Sequence, residues 1–149
     1  MLAAIEQAKL AKETGDYAIG AVIVKGGEVV VARCNRSKSE ENPVNHAEAL
    51  AIIEACKIFE TRHPKDCILY TTHKPCPMCA SLAVWAKLKG IIYGARVADM
   101  AEFRVNNQSD RYLWRTIDIP LEEVVNRSTE KIEIVRDFMR EECIKLFHL

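Results

Sequence analysis

Apolar positions change their spacing several times along the chain, and each change predicts an element. Residues 2–13 carry helical spacing closed by Gly15. Residues 19–24 and 28–33 are strand-like runs on either side of Lys25-Gly26-Gly27, a hairpin signal. Residues 34–45 read as a loop. Helical spacing returns over 46–59 through Leu50, Ile53, Ala55 and Ile58, followed by a short apolar strand over 67–71. A second helix begins at residues 75–77, where proline suits a first turn, and runs through Leu82, Val84 and Trp85 to a stop at Gly90. Residues 91–95 form the next strand. The order β-β-α-β-α-β predicts an α/β fold of three layers, with helices on both faces of a mixed central sheet.

Beyond Ala95 the pattern weakens. Residues 96–111 mix charge with few apolar positions and read as a turn or short helix. Tyr112-Leu113-Trp114 reads as a short helical segment, and Pro120-Leu121-Glu122-Glu123-Val124 opens another. Ser128 or Thr129 caps a final helix whose apolar residues Ile132, Val135, Phe138, Met139 and Ile144 fall mostly on one face.

A chain of 149 residues, 49% of them hydrophobic, can bury one adequate core, so residues 1–149 are expected to form a single soluble domain. There is no apolar run of bilayer length. The first residues lack the basic region and cleavage site of a signal peptide, which makes the cytoplasm the expected compartment. With 21 basic against 21 acidic residues, the electrostatic footprint of a nucleic-acid binder is absent overall. Of six cysteines, Cys34, Cys56, Cys67 and Cys143 sit in apolar segments without a framework of spacing and read as reduced core residues.

The remaining two carry chemistry. His46-Ala47-Glu48 and Pro75-Cys76-Pro77-Met78-Cys79 together supply one imidazole and two thiolates, His46, Cys76 and Cys79, as ligands for a zinc ion. Three protein ligands leave the fourth tetrahedral position open, as in catalytic zinc sites, and the metal lowers the pKa of a water placed there. Glu48, two residues after the imidazole, is a proton carrier beside the metal. A structural site would bring a fourth ligand, yet no second Cys-x-x-Cys or His-x-x-x-His occurs. Of His63, His73 and His148, His73 is a fourth ligand only in principle and more naturally lines the rim. Glu48 has a plainer reading as a first-turn carboxylate favoured by the helix dipole.

Residues 17–95 resemble the cytidine deaminase-like superfamily through Gly20-Ala21-Val22-Ile23-Val24, Asn35, His46-Ala47-Glu48 and Thr71-Thr72-His73-Lys74-Pro75-Cys76-Pro77-Met78-Cys79. H-x-E with P-C-x-x-C is the general signature of zinc base deaminases. The resemblance implies the three-layer fold, one Zn2+ per chain and hydrolytic deamination with Glu48 moving the protons. Within the superfamily the chain is similar to guanine deaminases and their nucleobase-deaminating relatives, through Asn35, Trp85 and the stretch 110–117 ahead of Pro120.

Carried over residue by residue, the resemblance implies that Asn35 binds the base edge, Trp85 lines the ring slot and Asp110 accepts hydrogen bonds from N–H groups. Their plainer readings are a turn residue, a core residue and a helix cap. The chain departs from the pattern at Ile19, Asn45 and Lys74, and its tail Phe147-His148-Leu149 lacks a terminal tyrosine, so the lid function is either altered or supplied by Phe147 or His148. The expected reaction is guanine to xanthine plus ammonia on a small-molecule nucleobase, by a homodimer with no membrane or nucleic-acid partner. A tRNA wobble adenosine, or cytosine or an aminotriazine, are the alternative substrates. A non-catalytic zinc-containing binding domain is the alternative of a different class, and the presence of Glu48 argues against it.

Overall fold

The turn at Lys25-Gly26-Gly27 closes on two left-handed glycines, Gly26 at φ 60° and Gly27 at φ 86°, values that cost nothing without a Cβ. It joins β1 (Gly20–Lys25) to β2 (Glu28–Cys34) in an antiparallel pair. The computed structural model describes residues 1–110 and 117–149. On the other side of β1 lies β3 (Ile68–His73), antiparallel to it, followed by β4 (Gly90–Ala95) and β5 (Glu133–Val135), each parallel to its neighbour. The sheet order is β2-β1-β3-β4-β5, the mixed sheet expected.

Helices cover both faces. On one, α2 (Ala47–Ile58), α3 (Pro77–Trp85) and α5 (Leu121–Asn126) bury Ile52, Ala83 and Leu121 against Ile23, Leu69 and Ile91. On the other, α1 (Leu2–Glu13) and α6 (Arg140–Ile144), with a 3-10 turn over Lys145–His148, bury Ile5, Ala8, Cys143 and Phe147. α4 (Val97–Asn107) follows β4. Two glycines set how closely the second layer approaches. A Cβ on Gly20 would stand 2.0 Å from the Ala4 carbonyl oxygen and 2.5 Å from the Ala8 nitrogen, and one on Gly94 would stand 2.2 Å from Cys143 Sγ. Because the obstacle at Gly20 is backbone, Gly20→Ala is expected to push α1 off the sheet and cost about 3 kcal/mol or more, the upper range for overpacking; urea unfolding reads this directly, and a midpoint equal to wild type would contradict it.

Three expectations need correction. The second helix ends at Trp85, not Gly90: Lys87 takes the left-handed turn at φ 55°, while Gly90 opens β4 opposite Ile68 and Glu133. The final helix over 128–144 is instead β5, α6 and the 3-10 turn. Pairing with the open edge of β4 claims residues 133–135, and Asp137 and Met139, at φ 61° and 56°, interrupt any continuous helix. The segment after Ala95 forms the 11-residue α4, capped by Asp99 accepting the Arg96 backbone N–H. Tyr112-Leu113-Trp114 lies outside the described residues. All six cysteines are free thiols, with Cys34, Cys67 and Cys143 buried and Cys56 half-buried. Among the described residues no helix is long and apolar enough to cross a membrane.

The C-terminal segment is bound to the end of β4 by charge. Arg96 pairs with Asp137, and Arg140 forks onto Asp99, its Nε 3.0 Å from Oδ2. Burial opposes ionisation of Asp99, but the hydrogen bonds from Arg140 and the Arg96 amide prevail and hold the carboxyl below its ordinary 3.8. A carboxyl whose folded pKa lies below its unfolded one contributes stability that is complete above the unfolded value and is lost as pH falls through the folded value. Wild type should therefore lose stability below about pH 3.8 more steeply than Asp99→Asn, which should already be about 1–3 kcal/mol less stable at pH 7. Parallel acid profiles for the two proteins would show that Asp99 has no such role.

Candidate metal centre

Both metal-bearing motifs sit where helices begin beyond the sheet. His46 is the N-cap of α2, Cys76 is the N-cap of α3, and Cys79 lies in the first turn of α3 after Pro77 at its start. Helix N-termini favour negative charge, which suits thiolates. His46 Nδ1 stands 3.6 Å from the Sγ atoms of both Cys76 and Cys79, and the three donor atoms lie within 4.8 Å of one another. A tetrahedral zinc with its usual bond lengths has an N-to-S edge of about 3.5 Å. The donor set and its spacing fit one Zn2+, and the geometry assigns Nδ1 as the facing nitrogen.

The two thiols share a proton. Cys76 is lowered to about 4, first by the hydrogen bond from Cys79 and then by His46, against the opposing effect of burial. Cys79 is driven well above its ordinary value by donating that bond and by its burial. A bound dication would displace the shared proton and leave two thiolates.

Glu48, 4% exposed, reaches from the first turn of α2 into an inner cavity of about 50 Å3 that it shares with Asn35, Ile19, His73 and Lys74. That volume holds one or two waters, so it admits an edge of a flat ring and no more. His46, Cys76 and Tyr17 line both this cavity and an outer cleft of about 530 Å3 walled by Ser37, Lys38, Pro43, Met78 and Ile117. Two of the three candidate ligands, His46 and Cys76, thus stand where the two spaces meet.

Asn35 is 2% exposed; it lines the inner cavity, and it is the turn residue of its plainer reading, its Oδ1 accepting from the Ser37 N–H and hydroxyl. Trp85 does neither of the things expected of it. At 77% exposure it is neither core nor ring slot, and it flanks a separate apolar groove with Leu82 and His63. Six residues along a helix put it about 240° round from Cys79, away from the metal. Asp110 is exposed beyond α4 and lines neither cavity.

His73 is buried at 2% exposure and donates from Nδ1 to the Lys74 carbonyl at 3.0 Å, with its ring edge-on to Phe147 at 5.8 Å. It lies outside the group of three metal-capable residues. Phe147 is therefore a buried support behind His73 and no lid over the cleft, while His148 packs on Phe103. Lys74 Nζ stands 2.7 Å from Glu122, which also pairs with Arg136 at 3.2 Å. The Asn45 amide donates to Glu40 and stays within its own loop. Tyr17, Met78 and Ile117 escaped sequence reasoning, because single residues on a loop, a first helical turn and a connecting segment carry no periodic signal.

Comparison with known proteins agrees with this geometry. The profile of the MafB19-like deaminase family matches residues 1–142. A guanine deaminase from Bacillus subtilis (strain 168) is 40% identical over 104 residues, 70% of this chain and 65% of that protein. A tRNA-specific adenosine deaminase from the same organism is 41% identical over 95 residues, 64% of this chain and 59% of that protein. The chain covers less than two thirds of either relative's length. A structure from work on A-to-I editing by tRNA:A34 deaminases at the wobble position of transfer RNA superposes with a TM-score of 0.76 at 24% identity, over 98% of this chain and 96% of that one, which establishes the shared fold. With the profile match running through nearly the whole sequence, the chain belongs to the MafB19-like deaminase family, within the cytidine deaminase-like superfamily.

Proposed function

We propose that this protein is a zinc-dependent hydrolytic deaminase of a nucleobase, with guanine the first candidate substrate. The observation that carries this reading is the convergence of His46, Cys76 and Cys79 at zinc-edge spacing, with His46 and Cys76 on the wall of a cavity that Glu48 also lines. Zinc, when bound, supplies an activated water as nucleophile. The inner cavity admits the base edge, the outer cleft takes the rest of the ring, and Asn35 grips the edge. Glu48 accepts one proton of the attacking water as a new C–O bond forms at the amino-bearing carbon and passes it to a ring nitrogen, then takes the remaining proton of the new hydroxyl and gives it to the amine as the C–N bond breaks. Water and the amino-base become the oxo-base and ammonia. Glu48 is 4% exposed, which limits the access of bulk water to that exchange. Assembly as a homodimer belongs to the same reading.

A second reading, an adenosine carried by tRNA, draws on the near-equal identity to the tRNA-specific relative and on an outer cleft larger than one base needs. Ammonia release from zinc-loaded protein across guanine, cytosine, adenosine, cytidine, ammeline and tRNA separates the two. Turnover of guanine without turnover of tRNA supports the first reading. The reverse pattern replaces it with the second, and release from none of them refutes both.

A further inference from the structure

Lys74 is a cation on the wall of the cavity in which Glu48 is asked to work. The residue lines the inner cavity with Glu48, yet its charged end is turned elsewhere: Nζ stands 2.7 Å from Glu122 Oε2, and Glu122 lies outside that lining. The backbone has no latitude, since the Lys74 N–H donates to the Ala95 carbonyl at 2.9 Å and the Lys74 carbonyl accepts from His73 Nδ1 at 3.0 Å. The side chain has some, because lysine carries a compact charge on a flexible four-carbon stem. One or two waters fill the inner cavity, so a stem rooted on one wall can cross it to Glu48 on another. Glu48 is 4% exposed, and a buried carboxylate attracts a nearby ammonium strongly where water screens little.

The charge that competes with Glu48 is built outside the cavity. Glu122, in the first turn of α5, gives Oε2 to Lys74, while its Oε1 meets Arg136 Nε at 3.2 Å and the Tyr93 hydroxyl at 3.5 Å. Arg136 and Tyr93 thus hold the carboxylate in place whether or not Lys74 moves. We propose that Glu122 is a positioning residue that holds the Lys74 ammonium out of the inner cavity, so that a substrate edge can enter and Glu48 is kept from an ion pair that would take the oxygens it needs for proton transfer. This deepens the proposed function and rests on its assignment of Glu48.

The crystal structure of Glu122→Gln and the kinetics of zinc-loaded variants test this together. Glutamine keeps the shape and an acceptor but not the charge, so Lys74 Nζ should move to within about 4 Å of a Glu48 oxygen, the range of an ion pair. On whichever of guanine, cytosine and adenosine the wild type turns over, kcat/KM of this variant should fall about tenfold or more, as when the ammonium fills the cavity in about nine molecules of ten. Lys74→Met removes the ammonium and should stand well above Glu122→Gln, and Lys74→Met/Glu122→Gln should recover to within about threefold of Lys74→Met alone. An ion pair that merely fastens α5 to the rim is lost equally from either end, so the two single variants and the double variant would then fall together. That pattern, or Nζ unmoved in the Glu122→Gln structure, would overturn the restraint. Zinc-loaded wild type that releases no ammonia, or turnover that persists in Glu48→Gln, would defeat the proposed function instead, and the position of Nζ still decides the restraint.

Discussion

Replacing Glu48 by glutamine is expected to remove turnover while leaving the metal in place. The side chain is 4% exposed in the first turn of α2, and the amide is nearly isosteric with the carboxylate, so packing should survive. What is lost is the capacity to take and return a proton. A positioned general acid or base typically contributes about 10²–10⁴ in rate, and Glu48 is asked to act at both ends of the reaction, which puts the expected loss at the upper end, about 10⁴. Because Glu48 is absent from the trio of donor atoms, zinc per chain should equal that of wild type. Paired measurements of ammonia release and metal content on one preparation decide the matter: activity within tenfold of wild type would leave Glu48 as the dipole-favoured first-turn carboxylate it also resembles, and lost zinc would make it a ligand.

The parts of this centre that were legible in the sequence are those whose chemistry depends on short spacing. His46 and Glu48 are separated by one residue, and Cys76 and Cys79 by two, so any helix that starts there brings each pair to one end. Strand and helix periodicity up to Ala95 was equally readable, since each element there packs one face on a single sheet. The C-terminal third was not. Residues 128–144 have apolar positions compatible with a helix, and only the open edge of β4, a feature of the folded sheet, turns Glu133–Val135 into a strand. Trp85 failed for a related reason: its distance from Cys79 along the chain says nothing of direction until α3 is known to be helical from Pro77 to the tryptophan itself. Asn35 was legible as a turn former, and the turn it closes also lines the inner cavity. Lys74, a departure from the family pattern, is absorbed by the ion pair with Glu122, which ties α5 to the rim of the cavity.

The same economy of ligands governs what removal of the metal should do. A structural zinc site holds its domain together, and chelation unfolds it. Here two apolar clusters pack on opposite faces of the sheet without reference to the metal, so the chelated protein should stay folded and lose activity. Zinc should nevertheless stabilise it by mass action, raising the free energy of unfolding by about 2.7 kcal/mol at a hundred times the dissociation constant. Cys79 is fully buried and is one of the three donors found among the described residues. In Cys79→Ala the increment at the same zinc concentration should therefore nearly vanish, along with bound zinc and turnover, while the metal-free protein unfolds at a denaturant concentration close to that of metal-free wild type. Urea titrations of both proteins with and without zinc test this. An equal increment in the two would remove Cys79 from the coordination shell, and a metal-free wild type without a cooperative transition would make the zinc structural, undoing the argument that its open position exists for a nucleophile.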